Sequence, residues 1–328
     1  MTRTRQHQAN VFTARFRDKL NWELYMNQSL PALFGFLLAV APTAHAQFNF
    51  TTNNGAITIN GYTGTNSVIT IPATLNGLLV TSIAIDAFQD SVLTDITLPG
   101  SITNLVNWYY GIGAFEGCLT LTAINVDAAN PTYSSVNGVL FDKSQTTLLL
   151  YPPVLTGHFT IPAGVTRIGN DAFIGCSLTE VTIPSSLSYI GVAAFANSAN
   201  LTKVYCEGNA PSTTGSDSGV FVGDYENNAK VYYLPGTSGW SESLFFLPTE
   251  LWLPQIQTGD SSFVVRTNQF GFKINWAKGR TVVVEARSDM TNPMWQPIQT
   301  NILASDSFYY SDPQSTHYPA RFYRLRSP

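Results

Sequence analysis

Residues able to do chemistry are few in this chain and poorly placed for it. Of four histidines only His158 and His317 lie beyond residue 47. They fall in segments of different pattern, with no ligand spacing around either, so neither a zinc site nor a Ser-His-Asp relay can be assembled around them. His158, beside Phe159, reads as a surface residue at a coil edge. Two carboxylates converging to about 5–10 Å could cleave a glycosidic bond, and Asp86 and Asp171 are the candidates, each two residues before a phenylalanine, Phe88 and Phe173. A position repeated in this way is better read as a turn-capping Asp whose oxygen accepts a backbone N–H. The stretch Gly223-Asp224-Tyr225-Glu226-Asn227-Asn228 offers oxygens to Ca²⁺ but lacks the spacing of a known loop, and no Gly-rich phosphate loop precedes a helix. No catalytic residue, metal ligand or cofactor is assigned.

Recognition is better served than catalysis. Trp108, Tyr109 and Tyr110 are three adjacent aromatics in what reads as an inserted loop. They cannot all point inward, so one ring at least is expected to be exposed, as a protein hot spot or a face for a sugar to stack on. The other reading is that the insert folds back as a lid on its coil. Tyr133, in the Asn130-Pro131-Thr132-Tyr133 turn of a second insertion, completes the candidate binding set.

What must position these residues is a repeat. A phrase of apolar-x-apolar-Pro, a second apolar pair, then Ala-Phe and a small residue three positions on recurs along the middle of the chain. It reads Ile96-Thr97-Leu98-Pro99, Ile102, Leu105, Ala114-Phe115, Cys118 and again Val181-Thr182-Ile183-Pro184, Leu187, Ile190, Ala194-Phe195, Ser198. Partial copies end in Ala87-Phe88, Ser91 and in Ala172-Phe173, Cys176. Self-similarity at a period in the twenties predicts stacked units, none able to bury its apolar face without a neighbour. Apolar spacing of two fits a short strand, spacing of three a tighter turn, and Pro stops each strand. The stacked strands should form a parallel sheet, with the phenylalanines in a column on the opposite wall. Insertions around 107–110 and 127–153 break the register; the second reads as a hairpin-like excursion that occupies one coil without its Ala-Phe.

The rest of the chain is organised around this solenoid. Residues 1–46 read as a cleaved signal peptide, with basic residues, an apolar core from Leu30 to Val40, and Ala44-His45-Ala46 before Gln47. The apolar core is shorter than the roughly 20 residues a membrane span needs, so no membrane-spanning segment is expected in the mature chain. Residues 47–79 read as an N-terminal cap, 80–206 as the repeats and 207–257 as a C-terminal cap and linker. Residues 258–328 hold six strand candidates separated by Gly, Pro, Asn and Asp, which predicts a small antiparallel β-sandwich. The fold class is therefore mainly β. The formal net charge is −4 with no basic run, so nucleic acid is disfavoured as a partner.

Three cysteines in an exported chain suggest a disulfide, but the register argues otherwise. Cys118 and Cys176 share one repeat position with a coil between them, roughly 10 Å apart at about 4.8 Å per coil, beyond the ~7 Å limit for bridging. Cys206 falls at an inward strand position. Three buried thiols are expected, acting as small apolar groups.

The residues Ile161-Pro162…Val165-Thr166…Ile168-Gly169…Ala172-Phe173…Cys176, their copy over 183–195, and the excursion Asn130-Pro131…Gly138-Val139-Leu140-Phe141…Tyr151-Pro152 resemble the BspA-like leucine-rich repeats of bacterial surface proteins. The terminal domain is similar to fibronectin-type sandwiches. The resemblance implies a short leucine-rich-repeat solenoid and a non-enzymatic adhesion or recognition role at the cell surface, with a protein partner or a surface glycan as ligand. It supplies no catalytic residues. The competing reading is a polysaccharide-binding or polysaccharide-degrading accessory protein, which predicts an aromatic strip or a carboxylate pair in one cleft.

Overall fold

The computed structural model describes residues 47–105, 113–214, 219–221, 229–291 and 293–328, and among them there is no α-helix. Each coil has three sides. The first is a short strand, in several coils ending at or just before a proline: Val68–Thr70, Asp95–Leu98 and Ala123–Val126 pair in parallel as one sheet. After the excursion, Gly157–Thr160, Leu178–Ile183, Lys203–Cys206, Lys230–Tyr233 and Leu247–Leu251 pair in parallel as another. The second side is a two-residue strand such as Arg167–Ile168 or Tyr189–Ile190, again in parallel register. The third is the Ala-Phe turn. Ile96, Leu98, Ile102, Phe88 and their repeats point inward and are fully buried.

The Ala-Phe turns are joined by backbone rungs from coil to coil. The N–H groups of Asp86, Phe88 and Asp90 donate to the carbonyls of Gly113, Ala114 and Glu116, and those of Asp171, Phe173 and Gly175 to Val192, Ala194 and Ala196. Phe88 stacks on Phe115 at 5.6 Å, Phe173 on Phe195 at 4.7 Å, and Phe195 on Phe221 at 5.3 Å. At the open end Tyr62, from the hairpin of Phe48–Asn53 with Ala56–Tyr62, covers Phe88 at 6.1 Å.

Two members of this column escape the sequence pattern. Phe221, with Val220, fills the Ala-Phe position after an irregular loop: the N–H of Phe195 donates to the carbonyl of Val220. Tyr151 takes the same position in the excursion coil, its N–H donating to Ala172 O at 2.7 Å and its ring 5.0 Å from Phe173. The excursion therefore does carry an aromatic rung, as Leu150-Tyr151, and Pro152 follows at once and ends it.

The small residue of each repeat ties the turns together. Cys118 Sγ donates to the Phe88 carbonyl at 2.9 Å, Ser198 Oγ donates to the Phe173 carbonyl at 3.0 Å, and Ser91 and Ser198 each lie 3.3 Å from the thiol of the adjacent coil. Cys118, Cys176 and Cys206 are buried and none is in a disulfide. Burial raises the Cys118 and Cys206 thiol pKa values, which keeps both protonated.

Asp86 and Asp171 are not capping residues. Neither side chain accepts a backbone N–H among the described residues; both sit in left-handed backbone, φ 60° and 55°, and Ala193 takes that conformation in the next coil at 54°. The repeated Asp reflects tolerance of positive φ rather than a side-chain cap.

Residues 255–326 form two antiparallel sheets. Gln269–Asn275 pairs with Gln255–Gln257, Val264–Arg266 and Ser307–Asp312; Thr281–Arg287 lies between Gln296–Ile302 and Phe322–Arg326. Alternate residues Phe272, Ile274, Val282 and Val284 fill the space between as a small sandwich core, joined by Leu234 of the solenoid's end. Trp276 Nε1 donates to the Trp252 carbonyl at 2.8 Å and fastens the sandwich to the last coil.

A buried aromatic ring contributes roughly 1.5–3 kcal/mol by transfer, and Phe173 has ring neighbours on both sides. Phe173→Ala is expected to destabilise by about 3–5 kcal/mol, read by chemical denaturation; a value near zero would show that the column is not what holds the coils together.

Candidate functional site

The column is interrupted once, and the interruption is the site. Between Phe115 and Tyr151 no ring contact and no backbone rung occurs among the described residues, and the interior divides there into two apolar cores. The excursion causes this. Its hairpin, Tyr133–Val136 with Val139–Asp142, turns through Asn137 and Gly138, both left-handed at 51° and 80°, as a tight two-residue hairpin turn requires. A Cβ on Gly138 would stand 2.9 Å from that of Ala123. Leu140 enters one core while Val139 and Phe141 enter the other, the two faces of one strand.

Asn130 anchors the start of the excursion. Fully buried, it donates from Nδ2 to the carbonyls of Pro99 and Ile102 at 2.9 and 2.8 Å and accepts at Oδ1 from the N–H groups of Thr132 and Tyr133. All four of its hydrogen-bonding positions are satisfied. At the far end Asp142 accepts from Ser144, Thr146 and Thr147. Burial alone would raise the Asp142 pKa, but these bonds outweigh it and hold the carboxyl below its ordinary range.

The missing wall leaves a cavity of about 750 Å³. Its floor is Phe115, Cys118, Leu121, Leu150 and Tyr151, all buried, and its rim exposes Leu119 at 69% and Ile174 at 39%. Asp90, Glu116 and Asp171 also line it, from three different turns, and among the described residues no Lys, Arg or His does. A Cβ on Gly117 would run into the Asp90 carboxylate, and the backbone there is left-handed at 70°. Burial pushes the Asp171 carboxyl up to about 7, and the charge of Glu116 adds to the shift.

The candidates read from the sequence fall as follows. Trp108, Tyr109, Tyr110 and the loop 223–228 lie outside the described residues. Tyr133 is half-buried, and its hydroxyl accepts the Leu105 N–H at 3.0 Å, ending the short second-side strand of that coil. His158 is exposed on an edge strand, its Nε2 2.8 Å from Thr182 Oγ1. Asp171 lines the cavity and Asp86 does not. Asp90 and Glu116 escape the sequence reading because they belong to different coils, joined by the rung from the Asp90 N–H to the Glu116 carbonyl, and share the cavity with Asp171 from beyond the gap.

Outside the cavity Tyr205, Tyr232 and Trp252 form an aromatic strip beside the first-side sheet. Tyr205 packs against both others at 5.3 and 4.6 Å, while Tyr232 and Trp252 are each half-buried beside it. Among the described residues no cluster of three or more His, Cys, Asp or Glu could hold a metal ion.

Comparison with known proteins agrees with the coil geometry. A family model described as the BspA type leucine-rich repeat region matches six copies over residues 57–146 and 154–222. The matched copies fall on the stacked coils, so these coils are similar to the BspA type of leucine-rich repeat. Among solved structures, a leucine-rich repeat protein from Eubacterium ventriosum is similar at 22% identity and TM-score 0.36 over 51% of this chain and 48% of its own. The pneumococcal vaccine antigen PcpA is similar at 22% identity and TM-score 0.41 over 54% and 47%, and a T. pallidum leucine-rich repeat protein at 22% and 0.32 over 62% and 89%. This chain spans about half the length of the first two. A search of curated proteins found no match.

Because the folded-state pKa of Asp171 is raised, its contribution to stability is full below the unfolded value near 4 and is lost as pH rises through about 7. Asp171→Asn, which tolerates the same left-handed backbone, should match the parent at pH 3.5 and become the more stable protein by pH 8. Parallel melting curves at the two pH values check this; a constant difference would mean that the carboxyl is not held neutral.

Proposed function

We propose that this chain is an exported, non-enzymatic recognition protein that binds a protein partner through the solenoid, its two insertions and the cavity between them. The observation that carries this is the cavity itself: an apolar floor with exposed aliphatic and acidic groups at its rim, set in a wall of otherwise continuous repeats. Repeat surfaces suit extended contacts, because many shallow positions act together. The BspA-type repeat supports a surface role, since repeats of this type are usually surface-exposed and generally not enzymes. Export is supported by the pattern of residues 1–46, and among the described residues no helix is long and apolar enough to cross a membrane. We assign 258–328 to a fibronectin-like module on its two antiparallel sheets.

The second reading, a polysaccharide-binding or polysaccharide-degrading accessory, has one observation in its favour: three carboxyl groups line one cleft. Against it, the two aromatic residues of the floor are buried members of the column, Phe115 stacked on Phe88 and Tyr151 on Phe173. Pull-down from envelope extracts beside a glycan array separates the two. A protein retained by the bait, with no sugar bound, is the expected outcome; a sugar bound with no protein overturns the proposal.

Trp108, Tyr109 and Tyr110 immediately precede the turn that carries Phe115 and Glu116, and they join the proposed contact surface. Replacing all three with Ser should abolish retention of the partner while shifting the melting temperature little. A large loss of stability would instead assign them to covering their own coil.

A further inference from the structure

We propose that the cavity between Phe115 and Tyr151 receives a basic side chain, Arg or Lys flanked by an apolar residue, on an exposed segment of the partner. The inference rests on the reading that the solenoid recognises a protein, and it names what the cavity takes.

Size and lining set the first condition. A cavity of about 750 Å³ lies within the roughly 300–1,000 Å³ of sites that enclose small ligands. Its floor is apolar, so it suits the methylene stem of a long basic side chain, while Leu119 and Ile174 stand exposed at the mouth to pack a flanking aliphatic residue.

Charge sets the second. Among the described residues Asp90, Glu116 and Asp171 make no ion pair, and none that lines the cavity is a cation. The acidity extends beyond the rim. Between residues 47 and 142 the sequence holds Asp86, Asp90, Asp95, Glu116, Asp127 and Asp142 and not one Lys or Arg. A guanidinium or ammonium entering here meets carboxylates without displacing an existing partner, and a charge-assisted bond to a carboxylate is among the stronger polar contacts. A neutral sugar would leave the three carboxyl groups uncompensated. Proton release from Asp171 accompanies such binding, because a cation favours the ionised form.

The probe is the peptide acetyl-Leu-Arg-Leu-amide, titrated into the full chain and followed by the methyl resonances of Leu119, Leu121 and Ile174. A second peptide carries citrulline in place of Arg, of nearly the same shape without the charge. Saturable shifts at these methyls are expected for the Arg peptide, weakened at least tenfold by citrulline or by Glu116→Gln with Asp171→Asn. Affinity should also rise with pH through 7 and fall with added salt. Both substitutions keep side-chain size, and unchanged circular dichroism confirms folding.

Equal binding of the two peptides, no effect of the double variant, or no shifts at millimolar Arg peptide overturns the inference. So does a glycan whose binding is lost in the same double variant. If the cavity inference alone is wrong, the double variant still retains the partner in pull-down; if the recognition reading is wrong, the parent retains none.

Discussion

A coil of this solenoid cannot bury its own phenylalanine; only the ring of the next coil can do so. Everything else follows from keeping those rings in register. Rungs between successive Ala-Phe turns fix the vertical spacing. The left-handed residues two positions before and after Phe173, Asp171 and Gly175, bend the chain tightly enough to bring the wall round. The small hydroxyl or thiol three positions on fits where a larger side chain would hold the turns apart, and it adds a second hydrogen bond to the phenylalanine carbonyl of the preceding coil, Phe88 or Phe173. Removing a rung therefore has effects beyond one coil, since each unit is stable only in contact with its neighbours.

Much of this was legible in the sequence because it is periodic. Phe88, Phe115, Phe173 and Phe195 announce the column, the strand residues before each proline announce the parallel sheets, and alternating runs from Phe263 to Leu325 announce two antiparallel sheets. Cys118 and Cys176 declare themselves as interior groups by sharing a position with Ser91 and Ser198. Legibility fails where the period is broken. Tyr151 and Phe221 take their places in the column as Leu-Tyr and Val-Phe after irregular segments, and nothing short of the stacking identifies them. An Asp in a turn usually caps, and Asp171 departs from that expectation because the backbone angle, not the side chain, sets the residue type there.

The candidate site was the least legible part, for a physical reason. Asp90, Glu116 and Asp171 lie on three turns, spread over eighty-odd residues of sequence. They face a common space only because Pro152 ends the excursion's turn immediately after Tyr151, which removes the stretch of wall that would separate them. A concave site usually needs two lobes or a curved sheet. Here it results from leaving out one side of one coil, and the buried Asn130 keeps the gap from slipping by tying the excursion to the coil before it.

The hairpin that opens the gap also divides the interior, with Leu140 on one side and Val139 and Phe141 on the other. In a stack governed by nearest-neighbour coupling, this makes it the seam through which cooperativity must pass. The stretches on either side are two blocks joined by two shared strands, Val139–Asp142 and Thr147–Leu150, so material lodged in the gap would act as mortar. A partner occupying it would couple the blocks and make the solenoid behave mechanically as a single rod.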